Sequence, residues 1–264
     1  MVSEVPISIS PSLNPICLKS ILTFTIILNV GGVQLALAQT TDTLRPFARY
    51  SVMYDDNVLG LPSEVSAIDV IGLESKSDMS QTWEAGVLLD KKFGRQYFTG
   101  SLKAGKTKYD TYTALNFDGR DLVGNWNWFL ENHLQGNIGA SYAKGLTPFT
   151  DFHQLVRNVR TQQREYFDAA WRLHPSWRVK TAASKYQLNY DLLSQQPANR
   201  AENRYDLGLD YLARSGSSAG LVLVNTRGTY PNRLQLGSAE LSNSYQQDEI
   251  KTNIDWRVSG KTRL

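Results

Sequence analysis

The sequence predicts an all-β protein, an antiparallel transmembrane β-barrel of about ten strands. Three observations predict it. Apolar and polar residues alternate with period two along most of the chain. Tight turns and long polar connections follow one another in regular order. Aromatic residues gather at strand ends, drawn from 13 tyrosines and 6 tryptophans in 264 residues. The scattered glycines disfavour long helices. The mean hydropathy is slightly polar, which argues against a bundle of membrane helices. The formal charge of +3 is too mild for a nucleic-acid partner, and no basic run stands out.

The first element is a leader. Residues 1–38 read as a signal peptide: Lys19 precedes the apolar run ILTFTIILNVGGVQLALA, and Ala36-Leu37-Ala38 fits the small-x-small rule. Cleavage is expected between Ala38 and Gln39, leaving residues 39–264 as the barrel. Gly31, Gly32 and Gln34 interrupt the run too early for a good spanning helix. The chain's only cysteine, Cys17, lies in the leader. The mature chain is therefore expected to hold no disulfide and no thiolate site.

The strands follow in order. ARYSVMY puts Ala48, Tyr50, Val52 and Tyr54 on one face and Arg49 and Ser51 on the other. TWEAGVLLD sets Trp83, Ala85, Val87 and Leu89 against Glu84 and Asp90. FTGSLKAG sets Phe98, Leu102 and Ala104 against Thr99, Ser101 and Lys103. WNWFLENHLQGNIGASY is a hairpin, with Trp126, Trp128, Leu134, Ile138 and Tyr142 on its apolar face. REYFDAAWRL sets Phe167, Trp171 and Leu173 against Arg164, Asp168 and Arg172. WRVKTAAS sets Trp177, Val179 and Ala183 against Arg178 and Lys180. NRYDLGLDY sets Tyr205, Leu207, Leu209 and Tyr211 against Arg204, Asp206 and Asp210. SAGLVLV is apolar on both faces. EIKTNIDWRV sets Ile250, Ile254, Trp256 and Val258 against Lys251, Asp255 and Arg257.

Short turns are expected at Phe93-Gly94-Arg95, Asn132-His133, His174-Pro175-Ser176, Ser215-Gly216-Ser217 and Ser259-Gly260-Lys261. Long polar connections lie between them, near 55–77, 106–116, 146–160, 189–202 and 227–242. Every short connection then falls at one end. A soluble sandwich has no reason for this, whereas an outer-membrane barrel has short periplasmic turns and long outer loops. Strands of about ten residues also match the nine to eleven of a tilted membrane strand. Tyr54, Trp126, Trp128, Tyr142, Trp171, Trp177, Tyr205, Tyr211 and Trp256 would form interfacial girdles. One stretch departs from period two. DFHQLVRNVRTQQ has Phe152, Leu155, Val156 and Val159 at helical spacing, so a short amphipathic helix, or a helix plugging the lumen, is an expectation here.

Catalysis is not expected. His133, His153 and His174 do not form a metal-ligand spacing, and no nucleophile elbow, phosphate loop or zinc-protease motif is present. Asp55-Asp56 suits a turn closing the first strand better than a calcium site. No cofactor is expected. The charge of the chain instead lines the polar face: Arg49, Lys103, Arg164, Arg172, Arg178, Lys180, Arg204, Lys251 and Arg257 against Glu84, Asp90, Asp121, Asp168, Asp206, Asp210 and Asp255. In a lumen wall these should pair across neighbouring strands, because an unpaired desolvated charge is costly. Their near balance predicts weak ion selectivity and suits a hydrated, nearly neutral solute such as a sugar polymer.

FARYSVMYDDNVLGLP, LHPSWRV and NRYDLGLDY carry a resemblance. Over essentially the whole mature chain the sequence resembles the outer-membrane barrels of exopolysaccharide operons, the exosortase-B-associated exopolysaccharide biosynthesis proteins of the EpsL type. The resemblance implies a porin-like barrel in a Gram-negative outer membrane that assists polysaccharide export. It implies outer-membrane lipid, the exopolysaccharide and other export proteins as partners, and it brings no catalytic residue. A general diffusion porin and a secreted structural or glycan-binding β protein are the alternatives. Members of this family are longer, and SGKTRL follows a turn with no strand after it. Either ten strands close on themselves or the sequence is part of a larger barrel; the second is the expectation.

Overall fold

The computed structural model describes residues 22–28, 43–149, 151, 154–233 and 242–257. These residues form one antiparallel sheet whose strands lie side by side in sequence order, from β1 (Leu22–Leu28) to β11 (Ser244–Asp255). Between them run β2 (Leu44–Asp55), β3 (Asp78–Phe93), β4 (Gln96–Tyr109), β5 (Phe117–Leu130), β6 (Leu134–Leu146), β7 (Val159–His174), β8 (Trp177–Tyr190), β9 (Arg200–Leu212) and β10 (Ser218–Thr229). The ten strands expected after the leader are β2 to β11. They run to 12–16 residues, longer than the period-two cores first suggest, because the alternation continues beyond the apolar part of each strand.

One strand is unforeseen and one reading changes. β1 lies inside the segment expected to be a leader, and it pairs with β2, Leu22 opposite Tyr54 and Leu28 opposite Ala48. Thr23, Thr25, Ile26 and Ile27 are β-branched, so an apolar leader core is also a good strand, and β2 offers it an open edge. Cleavage after Ala38 would remove it; Ala38 and Gln39 lie outside the described residues. The helix expected near 151–163 is absent among the described residues. Residues 154–158 are irregular, and Val159 opens β7 opposite Leu146. Sheet pairing outcompetes a helical spacing of only four apolar residues. Phe152 and His153 lie outside the described residues, as does the turn at 259–261.

The two ends of the sheet differ as expected. At one end β3 and β4 are joined by Gly94-Arg95, where Gly94 has φ 60° and suits glycine. The other short connections at this end are 131–133, 175–176 and 213–217. At the opposite end lie the long connections 56–77, 110–116, 147–158, 191–199 and 230–243. The first of these carries the short helix α1 (Ala67–Ile71). Three of them share a small hydrophobic core of Val58, Leu59, Leu61, Tyr112 and Leu115, against which Leu73, Phe149 and Leu155 pack.

Polar side chains fix the shape of this cap. Asp55 accepts from the Asn57 backbone N–H at 2.9 Å, the turn expected at Asp55-Asp56. Buried Asp78 accepts from the backbone N–H groups of Thr111 at 3.0 Å and Tyr112 at 2.8 Å. The Tyr112 hydroxyl donates to the Ser75 carbonyl at 2.5 Å. Burial, and then the nearby Asp78 carboxylate, push the Tyr112 phenol above its ordinary pKa.

Candidate functional site

The register sorts the side chains onto two faces, and exposure identifies them. β9 is the clearest case. Leu207 is 57% exposed, whereas Asp210 is 1% exposed. Tyr205, Leu209 and Tyr211 are exposed with Leu207, while Arg204 and Asp206 are half-buried. The same inversion holds for Trp83, Val87, Leu102, Leu122, Trp126, Ile138, Phe167, Trp171, Leu221, Leu223, Ile250 and Ile254, all exposed. The polar face is the concave one. The Tyr166 hydroxyl on β7 reaches over β6 to donate to Asn125 on β5 at 2.9 Å. The Tyr245 hydroxyl on β11 reaches over β10 to Glu202 on β9 at 2.8 Å. Strands two apart are roughly 9.6 Å apart in a flat sheet, so such reach needs side chains that converge.

Glycines make room for this curvature. A Cβ at Gly139 would lie 2.3 Å from the Tyr166 ring, and one at Gly228 would lie 2.1 Å from the Tyr245 ring. The aromatic lies over the bare backbone and covers it, a device that also protects glycine in designed sheets.

Every residue expected to line the lumen can now be placed. Arg49, Asp90, Lys103, Arg164, Asp168, Arg172, Arg178, Lys180, Arg204, Asp206, Asp210, Lys251 and Asp255 share the concave face by register. Arg49 meets Glu84 at 2.8 Å, and Lys103 meets Asp121 at 3.1 Å, each directly opposite its partner. Arg178 and Lys180 both converge on Asp210, at 2.6 and 2.8 Å. These are the pairs across strands that the sequence leads one to expect. Arg204–Asp206 and Lys251–Glu249 instead pair along a single strand, both at 2.8 Å. Residues two apart share a face, so the lateral partner is not needed. Arg164 lies over the Tyr166 ring, and Arg172 sits opposite Arg178 at a bulge. Arg257 lies past β11 and folds against Gly216 in the 213–217 turn, so it belongs to the rim. Asp255 is opposite Ser218 at the same end.

Sequence reasoning missed the amide network at the centre of this face. Asn125 donates to Asn127 at 2.8 Å, Asn127 donates to Asn137, and Asn137 donates to both Asp168 oxygens at 3.0 Å. The signal was visible in the period of the hairpin, where these asparagines fall opposite the apolar positions. Beside it, a hollow of about 240 Å³ is lined by Glu84, Lys103, Asp121, Arg160 and Gln162, among others.

The convex face is not uniform. Its apolar residues occupy Trp83–Leu89 on β3, Phe98–Ala104 on β4, Leu122–Leu130 on β5, Leu134–Tyr142 on β6 and Phe167–Leu173 on β7. The same band continues as Trp177–Ala183 on β8, Tyr205–Tyr211 on β9 and Ala219–Leu223 on β10. Towards the long loops the same face turns polar: Lys106 and Lys108, Asp118 and Arg120, Lys144, Glu165, Lys185, Asn203 and Asp248. Aromatics stack within the band. Trp177 meets Tyr211 edge-on at 5.2 Å, Tyr50 meets Trp83 at 5.4 Å, and Phe98 stacks on Trp126 at 5.6 Å.

Among the described residues there is no group of acidic, histidine or cysteine side chains arranged to hold a metal. No helix among them is long and apolar enough to cross a membrane. No protein-family model, curated protein or solved structure matches the chain.

Proposed function

We propose that this chain forms the wall of an outer-membrane β-barrel, whole or in part, that helps pass an exopolysaccharide across the membrane. One observation carries the reading: the exposed face of the sheet is apolar and the sheltered face is charged and hydrogen-bonded. Apolar surface this extensive needs an apolar solvent. The apolar stretch spans up to nine residues per strand on β5 and β6, which fits a tilted membrane strand. In hydrocarbon the sheet must close, with its own edges or with further strands, because free backbone groups find no partner there.

The concave face supports the choice of solute. Ion pairs leave it with little net field, and the asparagine ladder offers amides to hydroxyl groups. Tyr97 and Tyr166 on the same face supply surfaces for a sugar ring. The wall works passively: it binds weakly, at many points, and uses no cofactor.

Deleting the gene and weighing secreted polysaccharide tests the reading. A sharp fall on deletion, restored by the intact gene, is the expected result. Unchanged secretion together with salt conductance in planar bilayers would assign the chain instead to a general diffusion porin. A monodisperse species in buffer without detergent would assign it to a secreted β protein.

A further inference from the structure

We propose that the convex face carries a binding site for the phosphate of a membrane lipid, centred on Arg120 and Lys144. This rests on the membrane reading above. Both residues lie on the convex face, one position beyond the apolar band on β5 and β6, where a headgroup would meet the wall. They are directly opposite each other in the register. Like charges placed so are destabilising unless an anion sits between them. Arg120 is exposed and has no ion-pair partner among the described residues. Lys144 has only Asp191, at 3.9 Å, and that carboxylate is half-exposed. Lys106 stands in the adjacent row opposite Asp118, also at 3.9 Å and exposed. Lys108 leans towards the Trp83 ring, 5.9 Å from its centroid. Ion pairs this long and this wet contribute little, so four cations remain open to a stronger anion.

The neighbouring surface defines what carries that anion. Ala48, Ala85 and Ala104 lie in one row with Arg120 and Lys144 across five strands. The three alanines floor a trough of about 640 Å³, bordered by Tyr50 and Trp83 and reaching Lys106, Asp118 and Arg120, with Lys144 beyond its end. Its apolar floor and aromatic border would seat the upper methylene groups of a chain. A free phosphate would use only the cationic end. Elsewhere on this belt Lys185 stands opposite a carboxylate, Glu165, and not opposite a second cation. The occupant is therefore a phospholipid of the leaflet on the long-loop side whose phosphate is not offset by a cationic headgroup.

The test uses the full chain folded into phosphatidylcholine vesicles, with or without a minor fraction of phosphatidic acid. Wild type should unfold at a higher temperature when phosphatidic acid is present, and added inorganic phosphate should not reproduce the shift. The double variant R120Q/K144Q should bind phosphatidic acid about thirty-fold more weakly. In phosphatidylcholine alone it should be at least as heat-stable as wild type, because the opposed charges are gone. The control K185Q should keep the shift. Normal insertion with a phosphatidic-acid shift that R120Q/K144Q leaves intact overturns the lipid site alone. Failure of wild type to insert into either vesicle overturns the membrane reading and the site with it. A shift equalled by inorganic phosphate also overturns the lipid assignment.

Discussion

At the scale of single residues, the inverted burial makes the concave charges the sensitive ones. Asp210 is nearly inaccessible and answers two cations at once. Asp210→Asn should cost about 1–3 kcal/mol, because Arg178 and Lys180 lose their shared anion while remaining partly solvated. Equilibrium unfolding in detergent or vesicles with urea checks the size. Tyr112 tests the loop cap. Its phenol is held neutral when folded, above its ordinary value, by burial and by Asp78. Its contribution is thus complete below the unfolded pKa of about 10 and declines as pH rises through the higher folded value. Protease nicking of the 56–77 loop should rise in that alkaline window. Tyr112→Phe should flatten the rise while losing roughly 1 kcal/mol at neutral pH with the bond to Ser75. Most of the concave residues were legible beforehand, because period two assigns a face without any knowledge of partners. What the sequence withheld was the partner. Arg204 chooses Asp206 on its own strand, while Arg178 crosses to Asp210, and only the register decides between these.

At the scale of elements, the hairpins were the most readable part. The tight turns come from local chemistry that no distant contact overrides, as at Gly94 and Gly216 with their positive φ. Boundaries were less readable at the long-loop end. There the convex face changes from apolar to charged, so Lys106 and Lys108 look like loop residues although they remain in a strand. Val159 fits a helical spacing for a related reason: a few apolar residues fit two periods, and pairing with Leu146 selects one. Two substitutions probe this scale. Leu207→Arg, within the convex band, should destabilise the vesicle-folded protein by about 2–4 kcal/mol, whereas Asn203→Arg, on the polar belt, should cost about 0–1. Equal effects would contradict a depth-dependent hydrocarbon environment. Gly139→Val should cost about 1–3 kcal/mol, since the new side chain occupies the place of the Tyr166 ring. Pairing it with Tyr166→Ala should recover part of that loss.

At the scale of the molecule, the sheet has apolar residues facing outwards and ion pairs facing inwards, with short connections at one end and a packed cap at the other. If the sheet closes into a barrel, the protein should migrate faster on a gel before heating than after, and the unheated form should resist protease except in the long loops. An unchanged mobility would count against closure. The pairing order has a separate implication. Among the described residues each strand is bonded only to the strands before and after it in the chain, so no hairpin within the sheet depends on a remote one for its register. Duplicating or deleting one up-and-down pair, roughly forty residues, would leave every other pairing as it was and alter the circumference by two strands. Enlargement of this architecture by gene duplication would therefore proceed in even increments, while each remaining hairpin keeps its original mate.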